Sequence, residues 1–183
     1  MTNSYFDIFG ELISLLEVEM KKYISKIVDG TQQDLSYAIS LDRAGRFSKR
    51  LRGVMYLLSH EATGCCRLSC LRKAIALEFI HVASLIVDDI QDHHEIRWDR
   101  ESLWKVIGTS NAFNVAIALV CHANQLCTER KELFVLNGTI LKMVSGQRRD
   151  VLALQCDHRT LHEYSLIVEG KTSALLCAAI ELG

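Results

Sequence analysis

The chain has 183 residues, of which 49% are hydrophobic and 23% charged, with a formal net charge of -1. That length suffices for one domain with a substantial core, and the usage excludes a disordered chain. The near balance of charge excludes a partner held by the charge of the whole molecule, nucleic acid above all.

The sequence contains no proline, where average usage of about 5% would supply roughly nine. Long stretches are therefore free to be uninterrupted helix. Phe6, Phe9, Ile13, Leu16, Met20 and Ile24 recur at helical spacing and predict a first helix capped near Gly30. Leu51, Met55 and Leu58 predict a shorter helix from about Phe47 to Ala62, and Gly64 breaks the pattern. A long helix follows from about Leu68 to Gln91. It is apolar on almost every side between Leu77 and Val87 and is expected at the centre of the molecule. Residues 93–108 read as polar and irregular, and further helices are expected at about 110–127, 131–154 and 160–182. No repeat or linker divides the chain, so the expectation is one all-α domain over residues 1–183. Its last segment, Ala174 to Leu182, is apolar nearly all round and calls for cover from another subunit or from further polypeptide.

The first twenty residues carry Asp7, Glu11, Glu17 and Glu19 with no early Lys or Arg, which is not the basic start of a signal peptide. No apolar run reaches the ~18–20 residues that span a bilayer. Seven cysteines, an odd number with Cys65 and Cys66 adjacent, make a poor disulfide framework, and the absence of a C-x-x-C pair argues against zinc. These cysteines read as small hydrophobes of a reduced, cytoplasmic protein.

Chemistry concentrates on the long helix. Steps of three and four place His81, Ser84, Asp88 and Asp92 along one stripe, and Asp88, Asp89 and Asp92 gather at its C-terminal end. The helix dipole is negative there and the carboxylates repel one another, so the cluster calls for cations. Oxygen ligands of this kind suit Mg²⁺ shared with substrate phosphates. Lys49 and Arg52 stand three apart at the opening of the preceding helix, and Arg97 and Arg100 follow the acidic cluster. Lys171 and Thr172 are expected at the start of the final helix, where free N–H groups favour an anion. Together these groups suggest a pocket for diphosphate.

The motifs resemble those of the trans-isoprenyl diphosphate synthases, the polyprenyl synthetase family. Ser48-Lys-Arg-Leu-Arg52 is similar to the family's G-K-R-x-R segment. Residues Glu78 to Asp92 are similar to its E-x-I-H-x-A-S-L-I-H-D-D-x-x-D signature, and Gly146-Gln147-x-x-Asp150, Tyr164 and Lys171-Thr172 to its G-Q-x-x-D-L…Y…K-T-A-A-L stretch. The resemblance implies an isoprenoid-synthase-type helical bundle, cut short relative to the family. It implies that Asp88 and Asp92, supported by Asp89, hold Mg²⁺ on an allylic diphosphate. Lys49, Arg52 and His81 would bind isopentenyl diphosphate, while Arg97, Lys171, Thr172 and Gln147 would face the allylic diphosphate. The implied reaction is ionisation, condensation and elimination, in a homodimer or heteromer. Small residues at Ala83 and Ser84, about one turn deeper than the aspartates, favour a geranylgeranyl or longer product.

Four departures stand against that pattern. Trp98 occupies the place of the second arginine in R-R-G-x-P, Asp99 and Glu101 stand for the glycine and proline, Gly53 stands where proline is usual, and the second aspartate-rich motif is not present in these 183 residues. They leave two alternatives: a non-catalytic or regulatory subunit of a heteromeric synthase, or a prenyltransferase whose acceptor is a peptide.

Overall fold

The computed structural model describes residues 5–40, 49–64, 70–154 and 160–183, with side chains from Phe9 onward. The expected motif residue Ser48 and the cysteines Cys65, Cys66 and Cys156 lie outside the described residues. The elements are α1 (Tyr5–Ile24), α2 (Gln32–Ile39), α3 (Leu51–Ala62), α4 (Leu71–Gln91), the two-stranded hairpin β1 (Ile96–Arg97) and β2 (Arg100–Glu101), α5 (Leu103–Ile107), α6 (Thr109–Leu126), α7 (Arg130–Ala153), α8 (Leu161–Val168) and α9 (Ala174–Leu182). A five-residue π turn, Glu169–Ser173, joins α8 to α9.

Helix α4 is central because its apolar residues leave it no solvent face over most of its length. Ala74 to Ile80, Val82, Ala83 and Ile86 are all buried, against α6 on one side and against α1 and α3 on another. Each fully buried Leu, Ile or Phe contributes on the order of 1.5–3 kcal/mol. The helix stops in a Schellman motif. His93 takes a left-handed φ of 53°, its N–H bonds to the carbonyl of Ile90, and the N–H of His94 bonds to that of Asp89.

Helix α6 runs antiparallel to α4, as the hydrogen bond from Arg72 to the carbonyl of Gln125 records. Helix α7 begins at the sequence Glu129-x-x-Glu132, where the Glu132 carboxylate accepts from the N–H groups of Thr128 and Glu129. It is tied to α4 at both ends. Lys73 pairs with Glu132 at one end, and Gln147 donates to Gln91 Oε1 at 2.7 Å at the other. Between these ties the helices stand apart. Thr160-x-x-Glu163 forms a capping box that starts α8, and α9 returns against α3 and α7.

Several expectations are corrected. The first helix ends at Ile24, and Gly30, with φ 87°, instead shapes the turn into α2, which the apolar stripe did not announce. Residues 93–108 hold a hairpin and a short helix. Trp98 and Asp99, at φ 52° and 60°, form its two-residue turn of type I′. Arg100 straps this hairpin to α2, with its guanidinium 3.6 Å from the Tyr37 ring centroid and a hydrogen bond to the Tyr37 carbonyl. The final helix is interrupted, because the π turn inserts an extra residue into the repeat between Val168 and Ala174. Lys171 and Thr172 therefore lie within that turn, with helix on either side, and not at a helix start. Cys70 and Cys127 are buried as expected, whereas Cys121 and Cys177 are exposed. No helix among the described residues is long and apolar enough to cross a membrane.

Candidate functional site

The separation of α7 from α4 leaves a cavity of about 690 Å³, within the ~300–1,000 Å³ of pockets that enclose small molecules. Its apolar wall comes from α6, with Phe113, Ala116, Ile117 and Val120, and from Ile140, Met143 and Val144 of α7. Ala83 and Ser84 of α4 also line it. Its polar side comes from four elements: Arg52 on α3, His81, Asp88 and Gln91 on α4, Gln147 and Arg148 on α7, and Lys171 and Thr172 on the π turn.

Lys171 is the crossing point. Its ammonium donates to Asp88 Oδ1 at 2.9 Å and to Asp150 Oδ2 at 2.6 Å, so a cation stands between carboxylates of two helices. Burial works to lower its pKa, but the hydrogen bonds to Asp150 and Asp88 outweigh burial and hold it above the ordinary value. Backbone packing sets this position. Gly146 of α7 and Gly170 of the π turn meet so closely that a Cβ on Gly170 would lie 2.6 Å from the Gly146 Cα.

Arg52 reaches His81, with its Nη1 3.1 Å from Nε2. Guanidinium only donates, so Nε2 accepts and Nδ1 carries the ring proton. Burial, reinforced by Arg52, Arg50 and Arg97, pushes the His81 pKa down to about 3. His81 is therefore neutral and offers an anion a hydrogen bond, not a charge. The unfolded ring takes up a proton below about 6.5 while the folded one does not. This site is thus expected to lose stability as pH falls from 6.5 towards 3, and to contribute no pH dependence above that window. Histidine-selective NMR is the check: one of the seven histidines should show no inflection down to pH 5 in wild type, and its signal should vanish in His81→Gln. Titration of that signal near 6.5 would contradict the assignment.

Arg50, between the two basic residues of the first motif, is not at the site. It caps α3 in a left-handed conformation and is buried between Glu17 of α1, at 2.7 Å, and Glu78 of α4, at 3.7 Å. Glu78 Oε1 also accepts the Gly53 N–H at 2.8 Å. A proline at position 53 has no N–H to give, and a Cβ there would meet Leu16 Cδ1 at 2.8 Å, so glycine fits this packing.

The structure separates residues that the sequence grouped. Asp88, His81, Arg52, Gln147, Lys171 and Thr172 line the cavity, whereas Lys49, exposed and ahead of α3, does not. Asp89 is buried on the other side of α4, where the Arg97 guanidinium forks onto it with Nε 2.8 Å from both oxygens. Asp92 is the C-cap of α4 and, like Trp98, lies outside the cavity lining. Among the described residues no three His, Cys, Asp or Glu side chains gather as a metal cage. Asp88 and Asp150 remain as a facing pair that already accepts a cation. This suits Mg²⁺, which binds through one or two carboxylates plus substrate phosphates. Asp150 and Arg148 were not assigned roles from sequence. The spacing of Gly146, Gln147 and Asp150 puts Asp150 within a turn of the glycine contact and could have found it, but nothing marks Arg148 among its charged neighbours.

The family model described as Polyprenyl synthetase matches residues 34–183. The chain belongs to the polyprenyl synthetase family. Among its relatives, the (2E,6E)-farnesyl diphosphate synthase of Mycobacterium bovis is 25% identical over 197 residues, covering 100% of this chain and 54% of that protein. The geranylgeranyl diphosphate synthase of Methanosarcina mazei is 29% identical over 168 residues, covering 87% of this chain and 52% of that protein. The chain thus spans about half the length of the curated relatives it matches. The crystal structure of a polyprenyl synthetase from Streptomyces coelicolor superposes with a TM-score of 0.86 at 25% identity, over 94% of this chain and 55% of that one. The all-α fold expected from sequence is therefore the fold of the polyprenyl synthetases, represented by about half of their length.

Proposed function

We propose that the chain acts in a prenyltransferase that condenses an allylic diphosphate with isopentenyl diphosphate and releases a geranylgeranyl or longer diphosphate. The observation that carries this reading is a cavity with one apolar wall whose polar side brings Asp88, Lys171, Gln147, Arg52 and His81 together. Asp88 would hold Mg²⁺ on the allylic diphosphate, with Asp150 keeping Lys171 beside it. Mg²⁺ supplies charge stabilisation to the departing diphosphate. Lys171 donates to that anion, with Thr172 and Gln147 beside it, and places positive charge where negative charge develops. Arg52 binds the diphosphate of the acceptor, oriented by neutral His81, whose Nδ1–H is free to donate. Lys49, exposed just ahead of α3 and outside the cavity lining, would reach that diphosphate only from the solvent side. The apolar wall excludes water from the cation left by ionisation. Asp89, held by Arg97, supports the end of α4 from the other side, and so both act through position in this reading. Ala83 and Ser84 leave the cavity open past the aspartate, which favours the longer product. The exposed apolar side chains Phe134 and Leu141 of α7, which lie outside the cavity lining, fit cover by a second subunit in a homodimer or heteromer.

The test is product analysis after incubating the purified chain with Mg²⁺, labelled isopentenyl diphosphate and allylic diphosphates of increasing length. A labelled product of twenty carbons or more is expected. Label left wholly in isopentenyl diphosphate, with the chain folded, would refute catalysis by this chain alone and favour a subunit role or another acceptor.

A further inference from the structure

Lys171 holds both carboxylates of the cavity at once, at 2.9 Å from Asp88 and 2.6 Å from Asp150. A divalent cation on the same Asp88 oxygen, at its usual ~2.1 Å, would stand about 5 Å or less from that ammonium. Like charges so close disfavour one another strongly where water is partly excluded. The cation and the Lys171–Asp88 pair therefore compete for one carboxylate. Asp150 offers the ammonium its shorter hydrogen bond and a place to remain.

We propose that Lys171 is a resident counter-ion of the Asp88–Asp150 pair, which occupies Asp88 until a divalent cation displaces it and which Asp150 retains beside the incoming diphosphate. The inference rests on the reading of Asp88 as a cation ligand. It has a consequence that ligation alone does not: the chain without diphosphate binds divalent cation weakly because a built-in cation must first be moved. A diphosphate gives Lys171 a new anion and so strengthens cation binding, and by linkage the cation strengthens diphosphate binding equally.

The experiment is titration of the full chain with Mn²⁺ alone, with the free ion counted by electron paramagnetic resonance, in wild type, Lys171→Met, Lys171→Arg and Asp88→Asn/Lys171→Met. Circular dichroism establishes that each variant is folded. Lys171→Met should bind Mn²⁺ about tenfold more tightly than wild type, the lower end of what a unit charge within ~4–6 Å does to a carboxylate. Lys171→Arg should stay as weak as wild type, because it keeps the charge, and this separates competition from a packing effect. Equal binding by wild type and Lys171→Met, including none detected in either, overturns the proposal. Tight binding by Lys171→Met that survives Asp88→Asn overturns the reading of Asp88 itself.

Discussion

Arg50→Ala is expected to destabilise the chain by about 3–5 kcal/mol, the usual result of removing one partner from a buried ionic group. Arg50 is 2% exposed and Glu17 and Glu78 are 2% and 0% exposed, so the guanidinium is cut away from two carboxylates closed off from bulk solvent. Its Nη2 also donates to the Ile39 carbonyl at 2.6 Å, which ties the end of α2 into the same cluster. Burial already pushes the Glu78 carboxyl up, against the opposing pull of Arg50, the Gly53 N–H and Arg52. Without Arg50 one carboxyl must take up a proton or the helices must part. A loss of this size is a large fraction of the 5–15 kcal/mol that holds typical domains folded. Urea denaturation at pH 7 is the measurement. A loss under 1 kcal/mol would mean that the cluster relaxes into solvent and that Arg50 is no keystone. Arg50→Lys should be nearly as costly, since an ammonium cannot serve Glu17, Glu78 and Ile39 in one plane.

Gly146→Ala should damage both stability and ligand binding. The added methyl would lie 2.7 Å from the Cα of Gly170 and 2.8 Å from the backbone N of Lys171, and neither can move without moving the π turn. Overpacking of this kind costs about 1–3 kcal/mol, partly offset by the ~1 kcal/mol helix preference of alanine over glycine. The larger effect is expected at Lys171, which is carried away from Asp88 and Asp150. Losing a hydrogen bond to a charged group costs about 1.5–3 kcal/mol, or roughly 10–100-fold in affinity. Affinity for pyrophosphate in the presence of Mg²⁺ is the direct readout, measured in wild type and in a Lys171→Met background. The glycine substitution should cost affinity only where Lys171 is present, while its effect on melting persists in both. Equal losses in the two backgrounds would show that the glycine contact does not act through Lys171.

The fold was largely legible because its signals are local. Leu16, Met20 and Ile24 at helical spacing, and the largely apolar stretch from Leu77 to Val87, each report on neighbours within one or two turns. The missed elements lack such signals. Helix α2 is short and weakly apolar, the turn at Trp98–Asp99 lacks the glycine that marks most type I′ turns, and the Arg100–Tyr37 strap joins the hairpin to a helix 63 residues away. The candidate site was half legible. Helical spacing put His81, Ser84 and Asp88 on one face, and they line the cavity, but a stripe says nothing of what stands opposite.

The sequence by itself determined that this is an all-α chain with a buried central helix ending in carboxylates. Periodicity and the absence of proline are properties of the chain alone. Only the tertiary structure decided which carboxylate serves which neighbour. Asp88 and Asp89 are adjacent in sequence but point about 100° apart around the helix. The first therefore meets Lys171 and the cavity, and the second meets Arg97 behind it. The pairing of Asp88, Lys171 and Asp150 spans 83 residues and depends on two glycines allowing two backbones to touch, a long-range steric fact that no local pattern encodes.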